Sequence, residues 1–201
     1  MNAKGLSLLE LLIAMAIVGF LASSLFFTLK SSATTSDQLQ LTSLLQEEMR
    51  AFTEIMLRDI RTAGSFPNGK DSTCPITCDD IITATETEFA FSRDLDGDGC
   101  CDGPDEQVTY SYDGSRLCRQ SSYDSTCEAF IGGLSSGDLG IILTSFSFSF
   151  FDKENSPTTQ VEDICYVNIS GSLQVNQKAK TNRFLSLPFS FTAGIRNRII
   201  H

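Results

Sequence analysis

Residues 4–29 read KGLSLLELLIAMAIVGFLASSLFFTL. From Leu6 to Leu29 the chain is almost entirely apolar, and Glu10 is the one charged side chain in the run. A helix needs about 20 apolar residues to cross a bilayer, and this run is long enough. It also exceeds the apolar core of roughly 7–15 residues usual in a cleaved secretory signal. The nearest small-residue cleavage site, Ala22-Ser23-Ser24, is followed by further apolar residues and does not end the run. Residues 1–5, MNAKG, form a short polar leader, and Lys4 fits an N-terminal end held on the cytoplasmic side.

Beyond Leu29 the helical pattern continues and changes character. Leu41, Leu44, Leu45, Met49, Phe52, Ile55, Met56 and Ile60 recur at spacings of three and four, which puts them on one helix face. No proline interrupts residues 1–66, and Gly64 and Pro67 then supply a stop. The spacing predicts one continuous helix of roughly 55–60 residues, on the order of 80–90 Å at the usual rise per residue. Residues 6–30 form its membrane or assembly half and residues 31–66 its amphipathic half.

Residues 67–201 read as a separate globular domain. Alternating apolar and polar residues mark strands in TETEFAFSR, GIILTSFSFSFFDK, DICYVNISGSLQV and RFLSLPFSFTAGI. QVTYSYDGSRLCRQ reads as a β-hairpin turning at Asp113-Gly114. The expected class is α+β: one long N-terminal helix whose amphipathic half buries its stripe on an antiparallel sheet of about five strands.

Seven cysteines, Cys74, Cys78, Cys100, Cys101, Cys118, Cys127 and Cys165, all follow the apolar segment. That placement predicts an exported domain in an oxidising compartment. The odd number leaves one thiol over or bridged to another chain. Adjacent Cys100 and Cys101 are expected to take different partners. Local bridges Cys118–Cys127 and then Cys74–Cys78 are the first choices by proximity. A zinc site lacks a second tight cysteine pair. Haem attachment needs a histidine beside a cysteine pair, and the only histidine is His201.

The segment DLDGDGCCDGPD places acids at Asp94, Asp96, Asp98, Asp102 and Asp105. These are positions 1, 3, 5, 9 and 12 of a calcium loop, with Gly99 at position 6. Calcium takes six to eight oxygens, and the backbone carbonyl of Cys100 would add one. Glycine and aspartate are equally natural in a solvated acidic turn.

The net charge is −10, so bulk electrostatics repel DNA and anionic lipid, and no nucleic-acid partner is expected. The sequence leaves room for one local basic patch, around Lys178, Lys180, Arg183 and Arg196. A Ser–His or Cys–His nucleophile pair has no base within the domain. A phosphate-binding glycine loop is also missing, so neither an enzyme nor a nucleotide site is expected. Arg58, Asp59 and Arg61 read equally well as solvated charges at the helix end or as residues with a specific role.

The leader, together with Glu10 at the fifth position after Gly5, resembles the class III leader of type IV pilins and type II secretion pseudopilins. The resemblance implies cleavage by a prepilin peptidase between Gly5 and Leu6 and methylation of the new Leu6 amine. It also implies a role for Glu10 in filament assembly. A lone carboxylate in hydrocarbon costs several kcal/mol. Cleavage creates an amine one helical turn from Glu10, within a chain or between staggered chains, and the two charges neutralise each other. The closing LRDIRTAGSFP of the helix, TYSYDGSRLCR and the later strands are similar to the PilW-like minor pilins and the GspJ-like minor pseudopilins. This branch implies a type IV pilin fold and a structural subunit that primes or caps a filament. Its partners would be other pilins or pseudopilins and an inner-membrane assembly platform. The precursor would cross the inner membrane once and later join a periplasmic or extracellular filament. A pilus-tip adhesin is the rival of another class, and exposure of the Phe146–Phe151 run would favour it.

Overall fold

The computed structural model describes residues 8–122, 127–132, 134–136, 139–177 and 184–199. One helix, α1, runs unbroken from Leu8 to Arg61. It contributes to two compact units, residues 1–44 and 45–201.

In the first unit the helix carries its apolar side chains outward on every side. Leu8 is 78% exposed, Phe20 77% and Phe27 71%. The helix is long and apolar enough to cross a membrane. Ser and Thr side chains between Ser23 and Thr42 fold back onto the helix, as where the Thr35 hydroxyl donates to the Ser31 carbonyl at 3.0 Å. This back-bonding satisfies their hydroxyls without outside partners.

In the second unit α1 buries Leu45, Met49, Phe52, Met56, Asp59 and Ile60. These positions recur every three or four residues, so the amphipathic half is packed on the stripe its spacing predicts. Phe52 lies between both sheets of the domain. Its ring centroid is 5.6 Å from Phe130, 5.6 Å from Phe189 and 5.7 Å from Phe191. The turn after Arg61 closes at Gly64, whose φ of +67° only glycine adopts readily. A Cβ there would lie 2.8 Å from Asp80 Cγ, so the turn also leaves no room for a side chain.

The described residues form two antiparallel sheets rather than the single sheet expected. The first has five strands in sequence order: β1 (Ile81–Ala84), β2 (Glu88–Ser92), β3 (Gln107–Tyr112), β4 (Arg116–Ser121) and β5 (Glu128–Gly132). The second has four: β6 (Leu134–Ser136), β7 (Leu139–Phe151), β8 (Tyr166–Gln177) and β9 (Phe184–Gly194). A short helix, α2, follows at Arg196–Ile199. The strands that lacked a clear sequence signal, β1, β5 and β6, are all short, with four, five and three residues. Few residues leave little room for alternation, and β1 also carries a register shift between Ile81 and Thr83.

Phe146, Phe148 and Phe150 of β7 point inward and are at most 8% exposed. Phe89 of β2 meets Phe148 at 5.9 Å and Phe150 at 5.7 Å, which locks the two sheets together. The opposite face of the second sheet carries Ser147 against Ser170, their hydroxyls 3.0 Å apart, and Asn168 donating to Thr192 at 3.0 Å. This inward and outward alternation is the period-2 signal read in the sequence.

Candidate functional site

Two regions carry chemistry: the apolar half of α1, and the junction where the end of α1 meets the acidic loop. Gly5 and Leu6, the expected cleavage pair, lie outside the described residues. Glu10 sits in the first turn of α1, exposed among the exposed side chains of Leu8, Leu9, Leu11 and Leu12. A negative charge near a helix N-terminus also complements the helix dipole.

The acidic loop connects β2 to β3, and it is ordered by its own carboxylates. Asp94 is 4% exposed. Its Oδ1 accepts the Gly97 amide at 2.6 Å and its Oδ2 the Gly99 amide at 3.0 Å. Asp96 accepts from the Asp98 amide at 3.1 Å, and Asp98 from the Cys100 amide at 2.7 Å. Gly99 packs directly on the chain leaving α1: a Cβ there would stand 2.8 Å from the Gly69 carbonyl oxygen, and φ is +83°. Asp71 donates its amide to the Gly99 carbonyl at 2.9 Å, and Asn68 donates to the Gly97 carbonyl at 2.7 Å.

The closing ligand departs from the expected register. Asp105 adopts a φ of +60° and turns its carboxylate to Arg119 Nη1 at 3.0 Å. Glu106 takes its place inside the loop and is 1% exposed. Its Oε1 accepts the Leu95 amide at 2.8 Å, and its Oε2 the Gly103 amide at 2.7 Å. Oxygens of Asp94, Asp96 and Glu106 lie within 4.8 Å of one another, as do those of Asp98 and Asp102. Hard oxygen donors of this kind are the type calcium takes, and they fall into two groups, Asp94, Asp96 and Glu106 in one and Asp98 and Asp102 in the other.

Three disulfides are formed among the described residues. Cys118 bonds Cys127, nine positions apart. Cys74 bonds Cys100, 26 positions away, and Cys78 bonds Cys101, 23 positions away. The expected local Cys74–Cys78 bridge is therefore wrong: both of its cysteines cross to the adjacent pair in the acidic loop. The reason is the docking just described, which lays residues 68–78 along the loop and brings both pairs face to face. Cys165 is free and buried.

Reading the sequence also missed a buried polar cluster. Asp59 is 2% exposed, not solvated. It accepts from Arg93 Nη1 at 3.1 Å, from the Tyr110 hydroxyl at 2.8 Å and from Arg119 Nε at 3.2 Å. Arg93 also donates to Thr62 Oγ1 at 2.8 Å and to the Asp105 carbonyl at 2.9 Å. Burial, then the Asp59 charge and hydrogen bond, hold the Tyr110 hydroxyl far above its ordinary range. It stays a donor at any physiological pH. The signal was present: position 59 lies three residues past Met56 and seven past Phe52, on the apolar stripe itself. A charge on that stripe needs buried partners. Arg58 and Arg61, off the stripe, are exposed as read.

Residues 1–26 match the family described as the prokaryotic N-terminal methylation motif. No curated protein matches the chain. The matched motif and the long apolar helix together support a type IV pilin-like protein, a pilin or pseudopilin subunit anchored by its N-terminal helix. A leader of this kind implies processing by a prepilin peptidase and assembly with other pilins.

Proposed function

We propose that this chain is a minor pilin, a structural subunit that primes or caps assembly of a type IV pilus. One observation carries the reading: a prepilin methylation motif runs directly into a helix that is apolar and exposed on all sides, then packed on one face by a disulfide-bonded domain. An apolar helix of that kind has two stable surroundings, lipid and the helices of other subunits. Processing after Gly5 would move it from one to the other, with Glu10 pairing with the new amine of a neighbouring subunit. The absence of proline from the membrane half departs from many major pilins and favours a minor subunit. The proposed role is structural and includes no catalytic step. Its partners would be other pilins and an inner-membrane assembly platform. A GspJ-like role in type II secretion rests on the same architecture and differs in the filament joined. The adhesin reading loses its support, because Phe146, Phe148 and Phe150 are core.

The proposal includes calcium in the acidic loop, held by Asp94, Asp96, Asp98, Asp102 and Glu106. A hard cation there offsets the repulsion among five carboxylates. The loop so ordered holds the chain leaving α1 through the Asp71 amide on the Gly99 carbonyl and the Asn68 side chain on the Gly97 carbonyl.

Mass spectrometry of the mature N-terminus tests the main reading. An N-methylated Leu6 is expected. A chain that starts at Met1, or one cut near Ser24, overturns it. Immunodetection in sheared pili then separates the pilus from the secretion assignment.

A further inference from the structure

The disulfide pattern places this chain in a second maturation reaction, separate from leader processing. Cys74 and Cys78 lie four positions apart, yet they are joined to partners 26 and 23 positions away. Cys74 and Cys78 are the nearest thiols along the unfolded chain, and closing a short loop costs less chain entropy than closing loops of 26 and 23 positions. Chain entropy also cannot choose between the native pairing and its swap. Exchanging Cys100 for Cys101 lengthens one loop by a single residue and shortens the other by one. The six bonded cysteines alone allow 15 pairings. What selects the native one is the folded surface. The Gly99–Asp71 backbone bond sets the two segments side by side, and Cys101 is fully buried against Cys78. The native pairs are thus the end point of folding and not the pairs that close first.

The chain holds no thiol to correct an early error once it has folded. Cys165 is 7% exposed, and its sulfur donates to the Arg198 carbonyl at 3.5 Å. Before β8 forms, Cys165 is one more wrong partner.

We propose that this chain is a substrate of a thiol–disulfide isomerase in the compartment where its domain folds. The isomerase thiolate attacks Sγ of Cys78 in a Cys74–Cys78 bond, forms a mixed disulfide and releases the Cys74 thiolate. The Cys101 thiolate then attacks Cys78 Sγ, forms Cys78–Cys101 and returns the isomerase thiolate, with no net oxidation. The remaining Cys74 and Cys100 thiols give two electrons and two protons to a disulfide oxidant. The second bridge forms, and the oxidant leaves as a dithiol.

The test uses the full chain, reduced, unfolded and refolded in detergent with oxidised and reduced glutathione. Connectivity is followed by quenched non-reducing digestion and mass spectrometry. Early species rich in Cys74–Cys78 or in the swapped pairs are expected. Adding protein disulfide isomerase should speed the native pairs on the order of ten-fold without changing the final distribution. A C78S/C101S variant, in which Cys74 and Cys100 can no longer mispair with Cys78 or Cys101, should show a weaker dependence. Native pairs that form first, at a rate the isomerase does not alter, overturn the proposal. The outcome is read on the bridges alone, so it stands or falls independently of the pilus assignment.

Discussion

Arg93 reaches Asp59 across 34 positions of sequence, Nη1 3.1 Å from Oδ1, with their side chains 7% and 3% exposed. The pair joins the last turn of α1 to the mouth of the acidic loop. Removing one member of a buried pair leaves the other charge uncompensated, which costs about 3–5 kcal/mol. Asp59→Ala takes the carboxylate from buried Arg93 and leaves Arg119 with Asp105 alone. Urea unfolding should show a loss in that range, while the exposed neighbour Arg58→Ala should stay within about 0.5 kcal/mol. A loss below about 1 kcal/mol for Asp59→Ala would mean that water reaches the guanidiniums.

The same cluster sets a pH dependence. Burial disfavours the Asp59 charge, but the Tyr110 hydrogen bond and the Arg93 and Arg119 charges outweigh it, and the carboxyl titrates below its ordinary 3.8. A depressed carboxyl contributes stability that is whole above 3.8 and is lost as pH falls through the folded value. Asp113, drawn down to about 2 chiefly by its hydrogen bond with Arg116, acts with the same sign. It is exposed and contributes less. The thermal midpoint should therefore drop as pH falls below about 4, and the drop should be shallower in Asp59→Asn. Parallel profiles for the two proteins would count against the cluster.

The long helix and the apolar stripe of its later part were legible because they rest on local periodicity; the helix ends at Arg61 and the stripe is buried from Leu45. So were β2, β3, β4, β7, β8 and β9, whose apolar residues alternate. The parts that escaped depend on non-local geometry. Asp105 holds the twelfth position of the loop register, but its positive φ sends the carboxylate to Arg119 and leaves Glu106 inside. The Cys74–Cys78 guess followed proximity along the chain, whereas docking of residues 68–78 on the loop decided the pairing. Of the two readings open for Asp59, burial on the stripe selects the specific one, while its neighbours Arg58 and Arg61 are solvated.

Glu10 is the residue on which the proposed assembly turns. Glu10→Gln keeps the helix apolar and removes a charge that is costly in lipid, so membrane insertion and cleavage after Gly5 should persist. What should fail is incorporation into filaments, by on the order of a hundredfold, the equivalent of about 3 kcal/mol for a lost buried partner. Comparing membrane and sheared-filament fractions measures this directly. Normal incorporation of the variant would remove the ion pair from the proposal.

Calcium in the acidic loop should stabilise the domain by mass action, by about 2.7 kcal/mol at a hundredfold excess over Kd. For a domain of this size that corresponds to roughly 5–10 °C in thermal midpoint, reversed by chelator. Asp105 and Glu106 give opposite expectations. Asp105→Asn should keep the response, because its carboxylate serves Arg119. Glu106→Gln should lose it. An identical midpoint with calcium and with chelator sinks the site, and a response lost in Asp105→Asn but kept in Glu106→Gln restores the sequence register.

Two phenylalanines of α1 separate the roles of its halves. Phe52 is 3% exposed and touches rings of both sheets, Phe130 on β5 and Phe189 and Phe191 on β9. Truncating such a residue removes its transfer energy and leaves a cavity between sheets that cannot both close on it. Phe52→Ala should cost about 3–5 kcal/mol. Domains have only about 5–15 kcal/mol in all, so this loss should lower the midpoint by roughly 10 °C or more. Phe27 is 71% exposed and has no core to lose. Phe27→Ala should leave unfolding of the domain within about 0.5 kcal/mol of the wild type. It removes apolar area that only lipid or another subunit covers, so its effect should be weaker retention in membranes or filaments. Calorimetry of the detergent-solubilised chain, with carbonate extraction of membranes, reads both effects. A domain destabilised as much by Phe27→Ala as by Phe52→Ala would mean that the apolar half is part of the folded core after all.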